Sequence, residues 1–312
     1  MRALAAERKR YADRQPRDMT RGTTIPRWPK LLLASGVLLA GACDRRAPRA
    51  HAVQLTSASD SVDGAVLHYK TGGSGPPLLL LHGFMWSGAT WERFADTLGR
   101  HYTLIIPDLP GHGYSTGLPD TWSAKRVAKQ MLQLLDHLHV QRVSAIGCSA
   151  GANVLLHIAL TAPGRLAGLV LISGSHRLTD DVRRGLRSLP PMEELGEWRA
   201  WNAKNSPRGD EQVRALLERL RALAQNYDDF SMPLDELRKV PTRTLIATGD
   251  QDSGPSVETE LELHRSLPRS SLWVVPNAGH CPFWGEIPGG SHAAEALFPS
   301  VVLTFLAPKP GE

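Results

Sequence analysis

At 312 residues the chain is long enough for one large α/β domain carrying an insertion, or for two domains at most. A hydrophobic fraction of 42% excludes a chain that is disordered throughout. The net charge of +5 belongs to the leader: residues 1–30 hold nine Lys or Arg against three Asp or Glu, residues 31–42 hold none, and the remainder carries −1, so the basic balance is no sign of nucleic-acid binding.

The first predicted element is a targeting segment. Leu31 to Ala42 is an uncharged apolar run of 12 residues behind Arg21, Arg27 and Lys30. It is too short to cross a bilayer. Its order, basic then apolar then small, is that of a secretory signal. The end, Leu39-Ala40-Gly41-Ala42-Cys43, resembles a bacterial lipobox, whose cysteine is lipidated and becomes the mature N-terminus. It departs from that pattern in having Ala40 three places before the cysteine, where an aliphatic residue is usual. The alternative is a plain signal peptide with an incidental cysteine. Met19 is an alternative start, and Asp44 resembles the residue that retains some lipoproteins in the inner membrane. Residues 1–43 are thus expected to be a signal peptide and 44–51 a tether. The resemblance implies a bacterial cell-envelope location, periplasmic or extracytoplasmic, with the membrane as a partner through an acyl anchor on Cys43.

From Ala52 onward strand-like and helix-like segments alternate, which predicts a mostly parallel sheet with helices on both faces. Val53–Thr56 and Ala65–Tyr69 read as opening strands, and Gly72 to Pro77 as a turn cluster. Leu78–Leu81 is a short apolar run expected of a strand buried on both faces. A helix over Thr90–Leu98 puts Trp91, Phe94 and Leu98 on one side. A strand over Tyr102–Pro107, an amphipathic helix over Ser123–Leu138 and a strand over Arg142–Ile146 follow. Gly168–Ile172, Thr244–Ala247 and Leu272–Val275 complete the predicted sheet, and Ala293–Phe305 is the last helix. Between Ser173 and Val240 the strand rhythm stops and the chain becomes charged and helix-rich. An insertion there sits over the carboxyl edge of the sheet, where open α/β sheets bind ligands. The core is expected at 52–174 and 241–308, with a helical cap at 175–240.

Three short motifs follow apolar runs. His82-Gly83-Phe84 comes after Leu78–Leu81, and its glycine lets a backbone amide turn toward a cleft. Gly147-Cys148-Ser149-Ala150-Gly151 reads G-x-S-x-G between a strand and a helix, a sharp turn that exposes the serine oxygen and aims the helix's first amides at the same point. A free hydroxyl is a weak nucleophile and needs a base and an orienting acid. Gly249-Asp250-Gln251-Asp252 offers two carboxylates for the acid, and Asn277-Ala278-Gly279-His280 offers the base. The backbone amides of Phe84 and Ala150 would form an oxyanion hole. Cys148 and Cys281 flank the serine and the histidine. They read as two small buried side chains rather than a bridge, because the residue before such a serine normally points away from the cleft.

With these motifs quoted, the chain from about Gly72 to Phe305 resembles enzymes of the α/β-hydrolase fold, which order their triad Ser…Asp…His. Asp108-Leu109-Pro110-Gly111-His112-Gly113-Tyr114-Ser115 is similar to that family's D-x-P-G-x-G-x-S segment, with Asp108 and His112 in structural rather than catalytic positions. Ala152 departs from the pattern, since many relatives have glycine there. The resemblance implies a mostly parallel sheet of about eight strands flanked by helices. It selects Asp252 over Asp250, and Phe84 for the oxyanion amide. It implies a Ser149–His280–Asp252 serine hydrolase, carboxylesterase-like, that cleaves an ester, lactone or acyl amide of a small-molecule acyl substrate through an acyl-enzyme. It implies no metal and no organic cofactor. The alternatives on the same triad are an acyltransferase, a C–C hydrolase or a cofactor-free perhydrolase; outside catalysis, the alternative is a ligand-binding relative.

Overall fold

The computed structural model describes residues 52–308. The signal segment, Cys43 and the tether lie outside the described residues. Strands β1 (Thr56–Val62) and β2 (Ala65–Gly73) form an antiparallel hairpin in which Val62 faces Ala65 and Thr56 faces Thr71. The turn is Asp63-Gly64, with φ of 45° and 78°, the left-handed pair that a two-residue hairpin requires. This corrects the opening strand, which begins where Val53–Thr56 was expected to end. The reason is physical: β1 is an edge strand whose first four residues are exposed, so it has no apolar run to mark it.

Strand β3 (Pro77–Leu81) is followed by a short 3₁₀ turn and α1 (Glu92–Leu98), then by β4 (Thr103–Pro107). Helix α2 (Ala124–His137) starts where the Ser123 side chain accepts from the Arg126 N–H, a side-chain cap at the helix entry. Strand β5 (Val143–Cys148) runs into α3 (Ala150–Thr161), and β6 (Leu166–Ile172) follows. After β6 come α4 (Asp180–Arg187), α5 (Glu197–Lys204), α6 (Asp210–Ala222) and the single turn α7 (Leu234–Leu237). Strand β7 (Thr244–Gly249), α8 (Val257–Ser266), β8 (Ser270–Val275) and α9 (His292–Leu306) close the chain.

The eight strands lie in the order β1-β2-β4-β3-β5-β6-β7-β8. Pairings β1–β2 and β2–β4 are antiparallel and all others are parallel. Parallel neighbours end at the same edge, so the loops after β3, β5, β6, β7 and β8 converge there, the usual ligand edge of an open α/β sheet. Two apolar clusters cover the sheet. One gathers α2, α3 and the inserted helices around Trp122, Met131, Leu155 and Leu216, and the other packs Trp91, Trp284 and Phe298 beside α1 and α9. Burying a leucine or phenylalanine of this kind contributes about 1.5–3 kcal/mol.

The helices between β6 and β7 are tied down by polar groups as well. The buried Arg183 of α4 donates to Ala224 O at 2.9 Å and Asn226 O at 3.2 Å and stacks on the Tyr227 ring. Arg208 donates to Gly111 O and Ser115 O, and Gln212 to Gly111 O and Gly113 O. The 108–115 segment therefore anchors the insertion to the sheet. No helix among the described residues is long and apolar enough to cross a membrane.

Candidate active site

The turn at Ser149 is built by exclusion. A β-carbon on Gly147 would lie 2.5 Å from the Gly151 backbone, and one on Gly151 would lie 2.5 Å from Leu81 O. Only hydrogen fits at either position, so β5 can reverse directly into α3 against β3. Ser149 pivots the turn with φ 53° and ψ −114°, a region that L-residues occupy only when held there. Its N–H donates to Ile172 O at 2.8 Å, and its carbonyl accepts from the Asn153 N–H at 3.0 Å. Its side chain borders a cavity of about 490 Å³.

His280 borders the same cavity and arrives on the loop between β8 and α9. Its Nδ1 lies 3.0 Å from both carboxylate oxygens of Asp252, which follows β7. Asp252 also accepts from the Gly254 N–H at 2.7 Å and from the Thr248 hydroxyl at 3.4 Å. Its side chain is fully buried, while the His280 ring is 32% exposed. Burial pushes the Asp252 pKa up, but the His280 charge and hydrogen bond, with the Gly254 N–H and the Ser173 hydroxyl, outweigh it and hold the carboxyl below its ordinary value. Burial likewise opposes charge on His280, and the Asp252 carboxylate overcomes it, leaving the imidazole pKa raised. The carboxylate takes Nδ1–H and so leaves Nε2 as the free imidazole nitrogen. The lowered acid adds stability above its unfolded pKa and loses it as pH falls through the folded value. The raised base adds stability below its unfolded pKa and loses it as pH rises through the folded one, so the pair stabilises the fold across the window between.

Asp250 faces elsewhere. It accepts from the Ala278 N–H at 3.2 Å and supports the histidine loop from behind. Of the two carboxylates, then, Asp252 is the one paired with His280.

The His82-Gly83-Phe84 turn lies against the serine: a β-carbon on Gly83 would touch Ser149 Cβ at 3.5 Å. His82 Nε2 accepts from the Leu109 N–H at 2.9 Å, so its proton sits on Nδ1 and is donated to Gly83 O at 2.7 Å. Burial holds the His82 pKa well below normal, with the nearby His112 adding to that, and keeps the ring neutral. His112 is pushed down to about 4, chiefly by burial. The Phe84 ring meets His112 and Trp122 edge-on. Phe84 N–H has no protein acceptor among the described residues, and Ala150, as the first residue of α3, presents an N–H outside the helix ladder. Both residues line the cavity. Asp108 holds the neighbouring loops, accepting from the N–H groups of Gly88 at 2.7 Å and Tyr114 at 2.8 Å.

The insertion lines much of the same cavity, mostly with apolar side chains, Leu186, Leu189, Leu195, Leu217, Leu220 and Leu223 among them, together with Asp181 and Asn202.

One expectation is overturned. Cys148 and Cys281 form a disulfide, with 6.4 Å between their Cα atoms. Cys148 does point into the buried layer, among Phe283 and Trp284. The histidine loop enters that same layer, so the cysteine after His280 meets the cysteine before Ser149.

Two residues had no sequence signal strong enough to single them out. Ser173, at φ 50° just past β6, accepts from the Cys281 N–H at 3.0 Å and also helps lower the Asp252 pKa. Only its place after an apolar run hints at this. The carboxyl of Glu260 in α8 is fully buried with no hydrogen-bond partner among the described residues, and burial together with the Asp252 charge pushes its pKa well above normal. Cys43 lies outside the described residues.

A family model described as "Alpha/beta hydrolase family" matches residues 78–296. A pimeloyl-[acyl-carrier protein] methyl ester esterase from Vibrio vulnificus is 29% identical over 244 residues, covering 70% of this chain and 93% of that one. Among solved structures, a hydrolase from Pseudomonas aeruginosa aligns with a TM-score of 0.61 at 25% identity, covering 81% of this chain and 98% of that one. A bacterial membrane phospholipase A aligns with a TM-score of 0.60 at 26% identity, covering 80% and 87%.

Proposed function

This chain belongs to the alpha/beta hydrolase family, and from that membership we propose that it is a serine carboxylesterase acting through an acyl-enzyme. The observation that carries the proposal is a cavity bordered by both Ser149 and His280, with His280 Nδ1 occupied by the buried Asp252 carboxylate. Ester hydrolysis by the similar Vibrio enzyme supports the reaction class.

In the first half-reaction His280 Nε2 takes the Ser149 proton as Oγ bonds to the acyl carbon. The carbonyl oxygen becomes an oxyanion held by the N–H groups of Phe84 and Ala150. Collapse expels the alcohol, which leaves with the proton from His280. In the second half, water gives a proton to His280 and attacks the acyl carbon. Ser149 leaves with that proton and the carboxylic acid is released. Asp252 stays ionised throughout and stabilises the imidazolium at each transfer. The neutral His82 keeps the Phe84 turn shaped without adding charge beside the oxyanion.

The insertion acts as a cap over the acyl group. A wall of leucines favours a medium apolar acyl chain over acetate. Each buried methylene is worth about 0.8 kcal/mol, so lengthening the acyl group by four has a ceiling of about 200-fold. In a series of nitrophenyl esters, kcat/KM is expected to rise at least tenfold from butyrate to octanoate. A flat or falling series removes the leucine wall as the acyl site.

We also place the enzyme in a bacterial cell envelope, lipid-anchored through Cys43. The leader supports this, and so does the disulfide, since such bonds persist in oxidising compartments. Protein extracted from membranes is expected to begin at Cys43 with the mass of a diacylglyceryl group. A mature N-terminus elsewhere, unmodified, rejects the anchor.

A further inference from the structure

The disulfide joins the residue before Ser149 to the residue after His280. We propose that this bond is a positioning device for catalysis, fixing the loop that bears the base to the strand that bears the nucleophile. The proposal rests on the Ser149–His280 reading above.

The argument lies in where the histidine loop is otherwise held. Residues 276–291 contain no helix or strand. The loop leaves β8 through Asn277 at φ 55° and passes Cys281 at φ 52°, two left-handed residues that L-side chains adopt only under constraint. On one side Ala278 accepts from the Gln251 N–H at 2.8 Å and donates to Asp250, while His280 donates to Asp252. All three contacts tie the loop to the segment after β7. Further along, Gly279 donates to Gly289 O at 2.7 Å within the loop itself, and Trp284 donates to Thr90 O at 3.0 Å ahead of α1. Cys281 N–H reaches Ser173, past β6.

Among the described residues none of these hydrogen bonds reaches β5, where Ser149 is carried. Asp252 sets the orientation of the imidazole about Nδ1. It does not set how far the ring stands from β5. Apolar packing presses the loop on β5 through Ile146 and Cys148 without fixing its register, and the disulfide adds the covalent constraint, holding the two backbones 6.4 Å apart, one residue from each reacting group. Proton transfer tolerates little error in that distance, because a misplacement of about 1 Å can cost a hundredfold in rate. Cys148 and Cys281 are thus positioning residues: Cys148 lies outside the cavity lining, Cys281 borders it, and neither supplies a reacting group.

The test compares three forms of the full chain: the parent, the Cys148→Ala/Cys281→Ala double variant, and the parent treated with dithiothreitol, which delivers two electrons and two protons to give two thiols. The parent must first hydrolyse a nitrophenyl ester and lose that activity in Ser149→Ala; failure here rejects the esterase reading and the positioning role that rests on it, whereas the outcomes below reject the positioning role alone. Near-ultraviolet circular dichroism then fixes a temperature at which all three forms are folded. At that temperature kcat is expected to fall at least tenfold in both bridge-free forms, with KM changed less than threefold. The acid limb of the pH profile stays with the parent, since the Asp252 contact is intact. Reoxidation with oxidised glutathione restores the reduced sample. The proposal is overturned if kcat stays within twofold of the parent in both bridge-free forms. It is also overturned if activity is lost only in step with the near-ultraviolet signal, or if the denatured parent alkylates at both cysteines without reductant.

Discussion

Ser149→Ala is expected to lower kcat by about a million-fold, the scale of removing the serine from a triad in a protease. The reason is specific to this site. Alanine keeps the backbone at φ 53° no worse than serine does, so the turn, the Ile172 contact and the amides of Phe84 and Ala150 survive. What disappears is the atom that bonds to the acyl carbon. KM is therefore expected to move little, and a fluorophosphonate probe that labels the parent should leave the variant unlabelled. Turnover within tenfold of the parent, or undiminished labelling, would put the nucleophile elsewhere in the chain.

Asp252→Asn is expected to cost about ten-thousandfold in kcat, as the equivalent change does in a serine protease. The amide offers its NH₂ group to His280 Nδ1, so the imidazole places its own proton on Nε2 and can no longer accept from Ser149. The change has a second signature. In the parent, activity requires neutral His280, whose pKa is raised above 6.5, so the acid limb of kcat/KM lies above that value. Removing the carboxylate leaves burial as the main influence on the ring, and burial lowers the pKa, so the residual activity of the variant should show its acid limb shifted downward. Asp250→Asn is the control: its Oδ1 can still accept from the Ala278 N–H, and less than tenfold loss is expected. If Asp250→Asn proves the more damaging change, the assignment of the acid is wrong.

Much of the fold is legible in the chain because parallel strands buried on both faces leave unbroken apolar runs. Leu78–Leu81, Gly168–Ile172 and Thr244–Ala247 each fall inside a strand for that reason. The edge hairpin is less legible to an apolar search: Thr56–Val62 is marked by its Asp63-Gly64 turn and not by its own side chains. At the site, Ser149 stands out because Gly147 and Gly151 frame it, and His280 because it follows Gly279 just past an apolar strand; glycine is obligatory where a backbone must pass within contact distance of another. The choice between Asp250 and Asp252 is a matter of two residues on one loop, and side-chain direction on a loop has no periodicity to read. The bridge escapes for a similar reason. Cys148 has a predictable direction because it ends a strand, whereas Cys281 sits on an irregular loop whose path depends on Trp284 finding Thr90 and Ser173 finding the Cys281 amide. Glu260 looks like an ordinary acidic residue in the first turn of a helix, and only the packing of α8 shows it to be enclosed.

The bond between Cys148 and Cys281 also closes a covalent ring, since the two cysteines are separated by 133 positions. Within that ring lie α3, β6, all four inserted helices, β7, α8 and β8, and hence every leucine named in the cavity wall. Closing so large a loop removes disorder from the unfolded chain worth about 5 kcal/mol in the chain-entropy picture. A single peptide-bond cut anywhere in the inserted helices would leave the two fragments joined. Cleavage within the insertion would therefore break the backbone without separating the strand that carries Ser149 from the loop that carries His280.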